Sequence, residues 1–460
     1  MTKIPSNLSS SLSLANQLSA LEQRLGSIEY RSTTNLKAYA NNPRRHPEAQ
    51  IVRLMASIRE FGFVMPALVD SDATIIAGEA RIEAARRLGM TVVPVIVPDH
   101  MSNAQIKAYR LADNRLAEGG EWDDGRLSIE FAEILAMGEV SIEILGWESA
   151  QIDIILDQTS EGAADSDAAD EAVEAPVSPV SRLGDLWQLG KHRLICGSSL
   201  DSAVWDRLLD GAKAAMSFVD PPYNVPVSGH VCGLGRVQHA EFAMASGEMS
   251  RSEFVQFLVA FLEPLTANLA DGAIIDVCMD WRHLSELLEA LERVKLSLIN
   301  LCVWNKANGG MGSLYRSKHE LVLIAKKGKA PHVNNVELGR HGRYRTNVWD
   351  YAGVNSFGAS RMEDLADHPT VKPVALVADA IRDVSRPGDI VLDAFIGSGT
   401  TLLAAERTGR IGYGIEIEPA YIDVAIRRWE KMTGQAAVLA ATGQTFTETC
   451  VKRMALADAA

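Results

Sequence analysis

The chain has 460 residues, with 59 acidic against 45 basic side chains and a formal net charge of −14. That length suits two or three domains at about 150 residues each, and the acid excess excludes a protein that holds nucleic acid through overall positive charge. There is no run of about twenty apolar residues, no basic-then-apolar leader and no zinc-spaced pair among the five cysteines, so the expectation is a cytoplasmic protein with reduced thiols, no metal and no membrane span.

Residues 1–34 read as a tail in which Leu14, Leu18, Leu21 and Leu25 have helical spacing; such a face suits docking or pairing in a homodimer. Residues 35–122 read as a small α+β unit. Ile51, Leu54, Met55 and Ile58 make a helical face that stops at Gly62. Two short strands follow, from Pro66 and from Thr74, and Gly78 opens a helix that ends near Leu88 before a strand from Val92 to Val97. Residues 123–157 give short helices. Residues 158–181 carry Glu161, Asp165, Asp167, Asp170, Glu171 and Glu174 without a single Lys or Arg, which marks an acidic, solvated linker.

A larger α/β unit spans residues 182–436, followed by a tail over residues 437–460. Early in it, an apolar strand from Ala215 to Val219 runs into Asp220-Pro221-Pro222-Tyr223. The prolines fix the backbone and remove two N–H donors, leaving carbonyls free to accept. Asp220 and the Pro221 carbonyl can accept from an exocyclic amine while Tyr223 offers a stacking face, which are the needs of a flipped base modified at its amino group. The long Gly-rich loop from Val225 to Gly247 suits a lid. Between Trp304 and Arg345, Lys306, Arg316, Lys318, Lys326, Lys327, Lys329, Arg340, Arg343 and Arg345 face only Glu320 and Glu337. Such a patch can neutralise phosphates, and Lys306, Arg316, Lys318, Arg340, Arg343 and Arg345 are the expected DNA contacts.

From Asp389 to Pro419 the chain reads as strand, tight Gly loop, helix and second parallel strand. Gly397 and Gly399 allow a sharp turn and close approach of a ligand. No Lys follows them, so the loop does not cradle a triphosphate, and a nucleoside ligand without pyrophosphate fits better. Glu416 ends the second strand about twenty residues on, where an acidic side chain can bind ribose hydroxyls.

These stretches resemble the S-adenosylmethionine-dependent amino-methyltransferases of DNA. Asp220-Pro221-Pro222-Tyr223 is similar to that family's catalytic motif, Asp393-Ala-Phe395-Ile-Gly397-Ser398-Gly399-Thr400 to its cofactor motif, and His368-Pro-Thr-Val-Lys372-Pro373 to a third signature. Their order matches the family's beta arrangement. The resemblance implies a Rossmann-like, doubly wound, mostly parallel sheet, with target recognition over about 327–367. It implies S-adenosylmethionine held by Asp393, Phe395, Gly397, Ser398, Gly399, Thr400, Glu416 and Lys372, and double-stranded DNA as partner. Asp before Pro-Pro-Tyr leans towards adenine N6; cytosine N4 stays open. A protein glutamine methyltransferase would carry Asn before Pro-Pro-Tyr and place its cofactor loop first.

In the N-terminal unit, Asn42-Pro43-Arg44, Gly78-Glu79-Ala80-Arg81 and Asp113-Asn114-Arg115 resemble the N-terminal domain of ParB-type partition proteins. That resemblance implies a pocket for a nucleoside triphosphate at Glu79, Arg81, Asn114 and Arg115. Ala80 replaces the first of the family's paired arginines, which weakens the case for hydrolysis. A ParB-like DNA-binding module with an inactive methylase is the alternative from a different class.

Overall fold

The computed structural model describes residues 27–158, 168–170, 173, 175–176, 178–225, 247–306, 314–336, 345–352 and 372–458. The chain divides into two units, Met1–Glu130 with Glu139–Glu148, and Phe131–Gly138 with Ser149–Ala460. All of the expected lid (225–247) but its two end residues, the leucine face, Arg340, Arg343 and most of the expected recognition segment lie outside the described residues.

In the first unit, β1 (Ile28–Ser32), β2 (Ala67–Val69), β3 (Ile75–Ala77) and β4 (Val92–Ile96) form a sheet in the order β1-β4-β2-β3. Val69, Ile75, Val93 and Val95 face a core completed by Ile82 and Ala85 of the helix Glu79–Arg87. Gly62 ends the helix Glu48–Phe61 at φ 78°, and Ser102 with Gln105 caps the helix Asn103–Ala117 by a reciprocal pair of bonds. The unit begins earlier than residue 35, because β1 pairs antiparallel with β4 along all five residues. The sequence hid β1: Ile28, Glu29 and Tyr30 are exposed and the strand has no buried apolar face.

In the second unit ten strands form one sheet, in the order β11-β9-β10-β8-β7-β12-β13-β6-β5-β14. They are β5 (Leu186–Leu189), β6 (His192–Cys196), β7 (Ala214–Val219), β8 (Leu269–Met279), β9 (Ser297–Asn305), β10 (His319–Lys326), β11 (Val348–Asp350), β12 (Ile390–Asp393), β13 (Ile411–Glu416) and β14 (Val438–Leu439). The centre, β8-β7-β12-β13-β6, is parallel throughout, so its strands end at one edge. Both faces are covered, which is why β7 and β12 are buried almost without alternation. β10 runs antiparallel to β8 with Leu321 opposite Met279, so the start of β10 lies at that same edge.

Two expectations about boundaries change. The linker is partly docked: Asp170 Oδ1 accepts from Val374 N at 3.0 Å, and the Asp423 carboxylate accepts from Val180 N (2.6 Å) and Ser181 N (3.0 Å). Asp170, read as solvated, is used as a hydrogen-bond acceptor for distant backbone. The C-terminal stretch is structural as well. β14 pairs with β5, Phe446 packs on Trp187 with ring centroids 5.5 Å apart, and Arg453 Nη2 bonds Asp185 Oδ1 at 2.9 Å.

The helix Ser149–Gln158 carries a fully buried ion pair at Asp153, beside a half-exposed one between Asp157 and Arg382. Arg410 Nη1 bonds Asp153 Oδ1, Nη2 bonds Asp153 Oδ2 at 3.0 Å, and Arg410 also donates to Thr408 O and Ser385 O. Removing one partner of such a pair strands a buried charge. Asp153→Ala should therefore cost about 3–5 kcal/mol of stability in urea denaturation of the full chain; a loss of about 1 kcal/mol or less, the range of an exposed pair, would show that the pair is not the anchor.

Candidate active site

β7 delivers Asp220 to the carboxyl edge of the parallel strands. Both of its carboxylate oxygens are engaged. Tyr223 donates its hydroxyl to Oδ1, and Lys372 Nζ donates to Oδ2 at 2.5 Å. Lys372 also lies 3.3 Å from the Tyr223 hydroxyl and 2.9 Å from Glu320 Oε2. Lys306 donates to the other Glu320 oxygen, Oε1. The Lys372 side chain is only 5% exposed, so its charge rests on these partners. Burial works to lower its pKa, but Asp220 and Glu320 outweigh this and raise it. Burial likewise works to raise Glu320, and Lys372 and Lys306 instead bring it down to about 2. Burial first, then Asp220, keeps Tyr223 a neutral hydroxyl. Pro221 is buried and Pro222 half-buried. Asn224, at φ 54°, accepts from Gly247 N and Met249 N and donates to Met249 O, tying together the two ends of the intervening loop.

β12 ends beside β7, with Leu392 opposite Ser217. Its Gly loop follows. A Cβ at Gly399 would meet Ala425 Cβ at 2.8 Å, whereas one at Gly397 would stand in open space; both have left-handed φ that glycine adopts without strain. Asp393 turns inward, accepting from Phe395 N (2.9 Å) and Thr401 Oγ1 (2.6 Å). Ser398 is held from behind by Arg428, which donates to its carbonyl (2.8 Å) and Oγ (2.9 Å). Phe395 packs edge-on to Phe261, and Thr400 starts the following helix. Glu416, at the tip of β13, accepts from Gly397 N and Glu418 N, each at 2.9 Å. Burial pushes both Asp393 and Glu416 up to about 7.

Several sequence expectations change. Lys372, expected with the cofactor, is bonded to Asp220 on the catalytic side. Arg345, expected on DNA, is half-buried and paired inward: it donates to Asp383 Oδ2 at 2.9 Å and to the Tyr351 hydroxyl at 2.7 Å, because the acidic face of the helix Val374–Val384 lies against it. Lys306 is spent on Glu320, while Arg316 and Lys318 are exposed. Glu320 and Arg428 were missed. The only signal for Glu320 was a lone acid at the start of a strand inside a basic stretch.

Within the first unit, a cavity of about 260 Å³ is lined by Arg44, Glu79, Arg81, Arg110 and Asn114, with Gln50 and Tyr39 among the others. Asn42 donates to Glu79 at 2.7 Å, and Arg44 to Asn114 at 2.7 Å. Burial lowers the Arg81 pKa. Arg115, expected in the pocket, instead points outward and pairs with Glu118 at 3.0 Å; on the helix Asn103–Ala117 it falls one position past the face that Arg110 and Asn114 share.

Asp-Pro-Pro-Tyr thus follows one central strand of a parallel-centred α/β sheet, and the Gly loop follows its neighbour. The DNA methylase family profile matches residues 214–427, and the ParB N-terminal domain profile matches residues 18–114, so the chain resembles those two families over those segments. It is similar to type II methyltransferase M.HpaI of Haemophilus parainfluenzae, 26% identical over 52% of this chain and 74% of that protein. M.HinfI of Haemophilus influenzae is 29% identical over 46% of this chain and 61% of that protein. Among solved structures, the cytosine-N4-specific PvuII DNA methyltransferase is 18% identical with a TM-score of 0.40, over 56% of this chain and 93% of that one.

The raised carboxyls have a consequence for stability. Glu416 lies at about 7 against an ordinary 4.5, so its contribution is fully present below the ordinary value and is lost as pH rises through about 7. The ligand-free protein should lose thermal stability between about pH 5 and about pH 8, and Glu416→Gln should flatten that slope. An unchanged slope in differential scanning calorimetry would refute the assignment.

Proposed function

We propose that the methylase domain transfers a methyl group from S-adenosylmethionine to N6 of adenine in duplex DNA. The observation that carries this reading is the placement of Asp220 and the Gly397–Gly399 loop on adjacent parallel strands at one edge. The residues suit the donor. The open side of Gly397 leaves room for it, the loop has no lysine for a phosphate chain, and Glu416 offers a carboxylate at the neighbouring strand tip. When bound, the donor supplies an electrophilic methyl on a sulfonium. The chain's own residues do the rest. Asp220 and the Pro221 carbonyl accept from the flipped adenine's amine, raising its electron density and fixing its line of approach. The Tyr223 ring stacks on the base, typically worth about 1–3 kcal/mol. Arg316 and Lys318, exposed before β10, and Arg340 and Arg343 meet the phosphates. Asp rather than Ser at position 220 supports adenine over cytosine.

The test is to incubate the full chain with mixed-sequence duplex DNA and S-adenosylmethionine and to analyse the nucleosides by mass spectrometry. N6-methyladenine is expected; N4-methylcytosine would overturn the base assignment, and no methylated nucleoside would overturn the reading. Asp220→Ala should lower the rate by roughly 100-fold or more with donor binding retained in calorimetry.

The first unit's cavity favours a second reading beside this one: it takes a nucleoside triphosphate. Three guanidiniums line it, those of Arg44, Arg81 and Arg110, and phosphates are what such a cluster binds bidentately. A fluorescent triphosphate should bind the full chain, lose at least about tenfold in affinity on Arg81→Ala, and be indifferent to Arg115→Ala. Equal effects of the two substitutions would sink the assignment.

A further inference from the structure

We propose that Glu320 is a positioning residue that draws the Lys372 ammonium off Asp220 when the target amine enters. This rests on the methyl-transfer reading and concerns the same site. Asp220 has no idle oxygen: Oδ1 holds the Tyr223 hydroxyl and Oδ2 holds Lys372. An incoming amine therefore competes with a cation for the acceptor that has to orient it. Lys372 is too buried to retreat into water, and an unpaired ammonium there would be costly. One acceptor stands within reach. Glu320 Oε2, buried, already lies 2.9 Å from Nζ as an ion-pair partner and holds no other hydrogen-bond donor. Its sister oxygen is fixed by Lys306, which anchors the carboxylate while Oε2 can take the whole of the ammonium that it now shares with Asp220.

The surroundings favour a short swing. The Tyr223 ring lies 5.7 Å from Nζ and the Trp304 ring 5.9 Å, two aromatic faces between which an ammonium can move without losing support. The groups facing the cluster are Asp220 and Tyr223 from the β7 end, Cys278 from β8, Lys306 beyond β9 and Glu320 on β10. The Cys278 thiol is held neutral, by burial above all. Two carboxylates and two ammoniums balance, so the swing moves no net charge.

The chemistry gives the swing its purpose. As the N6–C bond forms, the C–S bond breaks and leaves its electron pair on sulfur, and N6 becomes cationic with one proton too many. An ammonium still bonded to Asp220 would repel that developing charge. With Lys372 drawn to Glu320, Asp220 accepts from the amine, takes its proton and passes it to solvent as product leaves.

Glu320→Gln is near-isosteric and removes the attracting charge. In single-turnover methylation its rate should fall on the order of 100-fold, with the donor's dissociation constant unchanged. Lys372→Met added to Glu320→Gln removes the competing cation and should recover about tenfold of that loss, which a merely structural role of Glu320 would not allow. Should Glu320→Gln fail to fold, Glu320→Asp keeps the charge, shortens its reach and should slow the same step by about tenfold. A wild-type rate in either single variant, or a double variant no faster than Glu320→Gln, overturns the proposal. A wild-type protein that methylates nothing overturns the reading beneath it instead.

Discussion

A buried ammonium is the constraint on which the site depends. Lys372 cannot be hydrated where it stands, and an ion removed from water is tolerated only among good partners. Its partners come from segments far apart in sequence: Asp220 after β7 and Glu320 on β10. The requirement to neutralise one lysine therefore brings the Asp-Pro-Pro-Tyr corner, the start of an antiparallel strand and the entrance to the helix Val374–Val384 to one point. The sheet makes this feasible, because β10 runs against β8 and so begins where the parallel strands end.

The Gly loop is organised on the opposite plan. Its conspicuous side chains serve the loop itself: Asp393 binds Phe395 N and Thr401, Arg428 grips Ser398 from behind, and Glu416 accepts from Gly397 N. What the loop presents outward is backbone and the clear side of Gly397. The two halves are locked in register through Ser217, whose Oγ donates to Leu392 O at 2.7 Å. A small polar residue in the middle of a buried strand thus sets the spacing between the catalytic corner and the loop.

The sequence was legible where local chemistry is unusual. Two prolines after an aspartate, and glycines between a short apolar run and a helix, each constrain backbone and donors so strongly that the context hardly matters. Buried parallel strands such as β7 and β12 are apolar throughout and stand out for the same reason. What stayed hidden depends on tertiary pairing. β1 is exposed along most of its length and shows no period. Asp170 reads as a solvated acid because nothing local says that the distant Val374 N–H will reach it. Lys372 sits in a recognisable signature, but which side of the site its four-carbon stem reaches is decided by Glu320, 52 positions away.

The basic stretch shows why a charge count is a poor guide to a surface. Nine cations against two acids between Trp304 and Arg345 look like a phosphate-binding face. Folded, some of the described cations have been withdrawn from it: Lys306 neutralises Glu320, and Arg345 lies against Asp383 and Asp379 of the helix Val374–Val384. The acids that absorb them are partly outside the stretch, so no local window could have balanced the sum. Arg316 and Lys318 remain exposed ahead of β10, within three positions of His319 and at the sheet edge that carries Asp220. A chain with a net charge of −14 needs only a few cations at that edge to draw a phosphate backbone towards the catalytic corner, since screening confines each charge to roughly 8–10 Å in salt. Position at the carboxyl edge, more than the total, decides which cations can act on DNA.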